Sequence, residues 1–307
     1  MYGEARVTTF GTDSTGYIVV TPVKDEERYI ERTLESVVNQ TIRPACWVVV
    51  DDGSTDGTPV IIKKYTHRYD WIAYLRIERT NERLLGSAEI RAFTVGYENV
   101  CHLEHGYVVK LDADLELPSD YFERMFARFQ NEPNLGVASG AYLEEQNGSW
   151  KPIELPEYHA AGAAKMVRRQ CFRDIEGFVL FPGWDTVDEI KAWTCGWKTC
   201  HFPEIQFYHL KPEGSAMGHL RTNFFHGEIY YASGGGVLFL TGKVLRRLIK
   251  GKPFLLCGAM LLCGYIYAAI TRRPKLVTSQ QARVYNRLLN RRITEWFTTK
   301  PSALLLK

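Results

Sequence analysis

Residues 108–118 read VVKLDADLELP: an apolar run, Val108 and Val109, breaks into three acids, Asp112, Asp114 and Glu116. Ligands of open α/β sheets bind outside the carboxyl ends of the strands. A strand ending in Asp-x-Asp therefore holds two carboxylates at the mouth of a site. Carboxylates that close repel one another unless a cation sits among them, and a divalent ion with oxygen ligands, shared with substrate phosphates, fits that role. The same residues also suit a solvated acidic turn, because Pro118-Ser119-Asp120 reads as a helix start. On this stretch alone both readings stand.

The residues before it supply the context. From 17 to 118, short apolar runs alternate with amphipathic segments, the pattern of a parallel α/β sheet. Strands are expected at Tyr17–Pro22, Cys46–Val50, Ala73–Ile77 and Tyr107–Leu111, with helices at Glu26–Gln40, Thr58–His67, Gly86–Val100 and Tyr121–Gln130. The first helix carries Tyr29, Ile30, Leu34 and Val37 at helical spacing. The second strand runs into Asp51-Asp52-Gly53-Ser54, so in a right-handed doubly wound sheet a second acid pair falls on the same edge as Asp112 and Asp114. Asp51 and Asp52 could bond a base or ribose, with Gly53 allowing close backbone approach; Ser54, Thr55 and Asp56 also suit a helix cap. Beyond 130, Leu135–Tyr142 and Trp150–Leu155 read as strands. Residues 160–172 read as small residues leading into a basic helix, whose Lys165, Arg168 and Arg169 could meet an anionic acceptor but better suit a solvated face. Residues 177–197 hold a loop and a helix bearing Asp185, Asp188 and Glu189. Neither G-x-G-x-x-G nor G-x-x-x-x-G-K-[ST] occurs, so a dinucleotide fold and a P-loop are unsupported.

Composition narrows the classes. The chain has 307 residues, 45% of them hydrophobic, with a net charge of +3, enough for one large domain or two smaller ones. Its seven cysteines form no C-x-x-C pair, and read as free thiols of a reducing compartment. The N-terminus lacks the basic and apolar regions of a secretory signal. Thr241–Lys307 carries 14 Lys and Arg against one acid, Glu295, whereas residues 1–240 carry 24 basic and 34 acidic residues. That split divides the chain into a body, 1–240, and a basic C-terminal segment, 241–307, that suits an anionic partner. The acidic body argues against nucleic acid. Within the segment, Pro253–Ile270 has 18 uncharged residues, at the lower limit for a span, and a re-entrant, interfacial or docked helix is an equal alternative. Ala282–Phe297 reads as a basic amphipathic helix, with Leu288, Leu289, Ile293, Trp296 and Phe297 apolar, suited to an anionic membrane surface. The alternative is a helix docked on the body.

The ordered series TPVKDEERYIERTLESVVNQT, VVVDDGSTDGT and VVKLDADLELP resembles the family 2 inverting glycosyltransferases of GT-A fold, over about residues 17–210. The resemblance implies an α/β fold with a mostly parallel mixed sheet flanked by helices. It places Thr21, Pro22 and Glu26 in a nucleotide pocket, Asp51 and Asp52 on base and ribose, and Arg91 near the donor. Asp112 and Asp114 become the Asp-x-Asp around Mn²⁺ or Mg²⁺, Asp114 nearest the metal, Asp112 toward ribose and phosphate. His209 lies where some GT-A enzymes place a metal- or phosphate-contacting histidine. The family's base is an Asp in a Glu-Asp pair about eleven residues before a glycine. Here Asp185 stands eleven before Gly196 with Trp184 in place of the Glu, and Asp188 is its rival. A nucleotide-diphosphate sugar donor follows, UDP favoured and GDP open, with a glycan or lipid-linked acceptor and a place at the cytoplasmic face of the cell membrane. No Q-x-x-R-W motif marks a processive synthase. A polyprenyl-phosphate sugar synthase and a catalytically dead sugar-nucleotide-binding scaffold remain as alternatives.

Overall fold

A computed structural model describes residues 16–78, 88–211, 218–251 and 253–297. The chain divides into two compact units, 1–212 and 213–307. The break therefore falls earlier than the expected boundary at 240, and residues 213–240 group with the C-terminal helices.

The first unit opens with β1 (Tyr17–Val23), α1 (Ile30–Val38), β2 (Cys46–Asp51), α2 (Thr58–Arg68), β3 (Ile72–Arg76), α3 (Ala88–Val100) and β4 (Tyr107–Leu111). Gly86 and Ser87, expected to begin the third helix, lie outside the described residues. The strands run parallel in the order β3-β2-β1-β4, with the order reversing at β1. Val23 pairs with Asp51 and Val20 with Lys110, which sets the carboxyl ends of β1, β2 and β4 on one edge. Every residue of β2 is buried, as in a sheet covered on both faces. Alternate residues feed two cores: Val19 and Val49 pack with Ile30 and Leu34 of α1, while Ile18, Val20 and Val48 pack with Ile90 and Phe93 of α3.

Antiparallel pairing then takes over. The elements are β5 (Leu115–Glu116), α4 (Tyr121–Asn131), β6 (Leu135–Gln146), β7 (Ser149–Pro152), β8 (Ala164–Arg168), α5 (Arg169–Asp174), α6 (Trp184–Thr194) and β9 (Lys198–His209). β8 runs antiparallel between β4 and β6, β9 runs parallel to β6, and β5 closes antiparallel on β9. The expectation of a mostly parallel sheet is corrected: among the described residues, four of the eight pairings are parallel.

Residues 160–172 need a second correction. Most of the expected basic helix is strand β8, with only the short α5 after it, and Lys165 is fully buried instead of solvated. Flanked by β4 and β6, the segment bonds to neighbours on both sides, and that ladder overrides its local composition.

The second unit holds α7 (His219–Ala232), α8 (Val237–Lys250), α9 (Leu256–Ile270) and α10 (Ser279–Phe297). α7 and α9 pack closely at Gly264, where a Cβ would stand 1.9 Å from the Phe224 carbonyl oxygen; only glycine admits that approach. Of the apolar stretch 253–270, the last 15 residues form α9, with Leu261, Gly264 and Ala268 buried. Of the alternatives for this stretch, the membrane span is corrected: no helix among the described residues is long and apolar enough to cross one. α10 buries Tyr285 and Leu289. Asn286 links it to the turn before α8, accepting from the Gly236 N–H at 2.5 Å and donating to the Gly234 carbonyl at 2.8 Å. The side chains of Trp296 and Phe297 lie outside the described residues.

Candidate active site

The sheet edge carries the carboxylates. Ligand atoms of Asp112, Asp114 and His209 lie within 4.8 Å of one another. Asp112 and Asp114 follow β4, and His209 ends β9, brought alongside because Leu115 pairs with His209 across β5 and β9. The turn between them is tied to α1 by the buried Thr33, whose hydroxyl oxygen lies 2.8 Å from the carbonyls of Ala113 and Leu115 and accepts from the Leu115 N–H at 3.0 Å. His209 Nε2 stands 3.5 Å from Asp114 Oδ2, and its Nδ1 stands 3.3 Å from Glu144 Oε1. Burial pulls the imidazole down, but Asp114, Asp112 and Glu144 outweigh it and raise its pKa to about 9. Two carboxylates and an imidazole backed by a third carboxylate form an oxygen-rich donor set suited to a divalent cation, with Glu144 orienting the ligand from behind.

Asp112 has a partner the sequence reading passed over. Lys110, fully buried on β4, bonds to both Asp112 and Glu89 of α3. Burial raises Asp112, offset by Lys110 and reinforced by Glu89 and Asp114. Lys110 did leave a signal: a lysine in an apolar strand, two residues before Asp112 and on the same face. Thr33 left a weaker one, a hydroxyl within the apolar stripe of α1.

A cleft opens beside this cluster. Pro22, Glu26, Asp52, Asp112 and Asp114 line it, joined by Lys24 and by Ala88, Glu89 and Ala92 of α3. Of the residues expected at the nucleotide, Pro22, Glu26, Asp52 and Asp112 thus meet in one place. Glu26 pairs with Lys211 at 2.5 Å; burial, the largest influence, leaves its pKa raised. Gly53 turns the chain behind Asp52 with φ 73°, which favours glycine. Asp51 points elsewhere. Its carboxylate is fully buried and accepts from Tyr74 at 2.6 Å, Arg76 at 2.9 Å and the Ser54 N–H at 2.7 Å. Thr21 is likewise buried, its hydroxyl accepting from the Trp47 indole N–H at 2.9 Å. Arg91 is half-buried on α3 beside the cleft-lining Ala92.

The two candidate bases on α6, Asp188 and Asp185, are held differently. Asp188 is buried against Lys165, with contacts of 2.9 and 3.2 Å. Burial raises Asp188, and Asp188 in turn raises Lys165 against its own burial; the two-oxygen contact keeps the pair ionised. Asp185 begins the helix with its side chain 37% exposed. Segment 160–164 joins this region to the Asp-x-Asp turn: the Ala163 carbonyl accepts from the Asp112 N–H at 2.8 Å, and a Cβ on Gly162 would stand 3.9 Å from that of Asp185. Trp184, in the place of the family's Glu, presents its ring to Lys110 at 5.3 Å and Lys165 at 5.0 Å. The ring stabilises both buried ammonium groups, which are register partners across β4 and β8.

Comparison with known proteins agrees with this arrangement. The sequence model described as glycosyl transferase family 2 matches residues 18–181. Over 124 residues, 40% of this chain, the sequence is 32% identical to the glycosyltransferase GlyA of Streptococcus pneumoniae, and the match covers 16% of that protein. The mannosyltransferase PcManGT from Pyrobaculum calidifontis, solved with GDP-Man and Mn²⁺, superposes with a TM-score of 0.54 and 17% identity, covering 96% of this chain and 90% of that one. GalNAc-T7 with UDP, GalNAc and Mn²⁺ gives a TM-score of 0.58 at 15% identity, covering 87% and 59%. These structural likenesses are of fold. With its family motifs at the sheet edge and more than half of its length matched, the chain belongs to glycosyl transferase family 2 and has the GT-A fold.

Proposed function

We propose that this chain transfers a sugar from a nucleotide-diphosphate donor to an acceptor hydroxyl with inversion at the anomeric carbon. The observation that carries it is the meeting of Asp112, Asp114 and His209 at a cleft shared with Asp52 and Glu26. Asp52 and Glu26 bind the nucleoside end, Asp52 beside the base and ribose. Asp51 supports the pocket from behind through Tyr74 and Arg76. Asp112, Asp114 and His209 would hold Mn²⁺ or Mg²⁺, which when bound neutralises charge on the departing diphosphate.

Asp185 is the general base, being the carboxylate of α6 that reaches solvent, whereas Asp188 is committed to Lys165. The acceptor oxygen bonds to the anomeric carbon as its proton passes to Asp185. The bond from that carbon to the diphosphate oxygen breaks, and the electron pair leaves with the diphosphate. A UDP-sugar is the favoured donor and a GDP-sugar the alternative. Thermal-shift titration of UDP- and GDP-sugars with Mn²⁺, followed by NMR assignment of the product anomer, tests this reading. Absence of binding by any nucleotide sugar, or a retained anomeric configuration, overturns it.

A second observation bears on the acceptor. Ile249, Phe254 and Ile270 are 69%, 63% and 77% exposed in the C-terminal unit, beside the basic residues Arg246, Arg272 and Arg273. Exposed apolar side chains with basic neighbours suit an anionic lipid surface, and hence a lipid-linked acceptor. Flotation with phosphatidylglycerol vesicles, and none with phosphatidylcholine vesicles, is expected; equal behaviour with both removes this support. Assaying a lipid phosphate against a lipid-linked saccharide separates a polyprenyl-phosphate sugar synthase from a glycan-extending transferase.

A further inference from the structure

Behind Asp185 lies a charged group that the transfer chemistry above does not use. His159 precedes the Ala160–Ala164 segment, and its side chain is 19% exposed. Its Nδ1 stands 3.0 Å from Glu189 Oε1, and its Nε2 stands 4.0 Å from Asp185 Oδ2. Glu189 is buried and locked in place, since its Oε1 also accepts from the Ala160 N–H at 2.7 Å. The ring therefore has a fixed carboxylate at one nitrogen and faces the exposed Asp185 with the other.

Charge balance fixes the state of that ring. Asp188 and Glu189 are both buried, and Lys165 sits 2.9 Å from the first and 3.9 Å from the second. One ammonium cannot neutralise two buried carboxylates, and an uncompensated buried charge is costly. A protonated His159 supplies the missing positive charge. The titratable groups facing it are Glu189 and Asp185 of α6, Lys165 of β8 and His201 of β9, whose Nδ1 lies 3.0 Å from the His159 carbonyl. Burial alone would lower the imidazole; Glu189 first and Asp185 after it outweigh that, against Lys165, and raise it to about 9.

We propose that His159, anchored by Glu189, is a positioning residue that orients the Asp185 carboxylate and sets a fixed cation beside it. The proposal rests on Asp185 being the base. A base must be ionised before it can take a proton, and a cation about 4 Å away favours the ionised form. The acceptor's proton goes to Asp185, since the imidazolium has no free lone pair. His159 then remains a cation beside a neutral acid, and loss of that attraction favours return of the proton to solvent.

Two measurements test this in the full chain. In His159→Gln, the acid limb of the kcat/KM profile should move up by about one pH unit, with donor KM unchanged. A residue that only filled space would lower activity or stability without moving the limb, so an unmoved limb overturns the proposal. Independently of activity, NMR titration of His159 should show its midpoint falling in Asp185→Asn, because an anion facing Nε2 has been removed. An unmoved midpoint with transfer abolished overturns the His159 pairing while leaving Asp185 as base. A lowered midpoint with transfer retained instead removes Asp185 from the base role, and the catalytic part of this proposal with it.

Discussion

Lys165 Nζ and Asp188 Oδ2 lie 2.9 Å apart with both side chains shut off from solvent. Lys165 also donates to the Asp185 carbonyl at 3.1 Å. One buried ammonium thus holds the start of α6, where the exposed Asp185 begins the helix, and takes Asp188 out of contact with water. Removing one partner of a buried pair leaves the other charge unpaired at a cost of about 3–5 kcal/mol. Lys165→Met should lower unfolding free energy by that order in urea titration, and adding Asp188→Leu should recover part of it. Unchanged stability in the single variant would show the pair to be dispensable.

Asp185→Asn should leave donor affinity unchanged by calorimetry while lowering the transfer rate by about 10²- to 10⁴-fold, the usual worth of a general base. Full transfer in this variant, together with loss of transfer in a folded Asp188→Asn, would move the base to Asp188.

Metal binding should depend on pH through His209. A coordinating imidazole must be neutral, and with no metal bound His209 holds its proton up to about pH 9. Mn²⁺ affinity should therefore climb with pH below 9, by about tenfold per unit where the proton is displaced, and level off above it. Titration of Mn²⁺ between pH 6 and 9 checks this. A flat profile would remove His209 from the ligand set. Asp114→Ala should abolish the difference in donor binding with and without a chelator.

Thr33→Val keeps the side-chain shape of a buried residue but deletes the hydroxyl that serves the 113–115 turn. Leaving the Leu115 N–H without its partner should cost about 1–3 kcal/mol. It should also weaken Mn²⁺-dependent donor binding, because Asp112 and Asp114 sit on that turn. Calorimetry of donor binding with Mn²⁺ distinguishes this from loss of stability alone.

The parallel half of the fold was legible because its signals are local. Ile30, Leu34 and Val37 at helical spacing, and apolar strands such as CWVVV, each declare an element without reference to distant residues. Once the strands are parallel and the crossovers right-handed, Asp52 and Asp112 fall on one edge. The pairing partners in the antiparallel half were not legible. AKMVR is a strand only because β4 and β6 lie on either side of it, and it was read as the start of a basic helix. KTCHFPEIQFYH, interrupted by Pro203, showed no plain alternation, yet it runs beside β6 and carries His209 to the metal-site carboxylates.

The sequence by itself determined the order of strands and helices through β4, the strand ends that bear carboxylates, and the eleven-residue spacing from Asp185 to Gly196. Tertiary structure decided which of those carboxylates face the cleft. Asp51 is drawn behind the pocket by Tyr74 and Arg76, and Asp188 is taken by a lysine 23 residues earlier in the chain. Asp185, three residues before Asp188, is left facing His159 with part of its surface open to water. Adjacent acids look alike in sequence because their chemistry is the same. Their fates differ because a buried charge must find a counter-charge, and only the folded chain brings Lys165, Arg76 and His159 within reach.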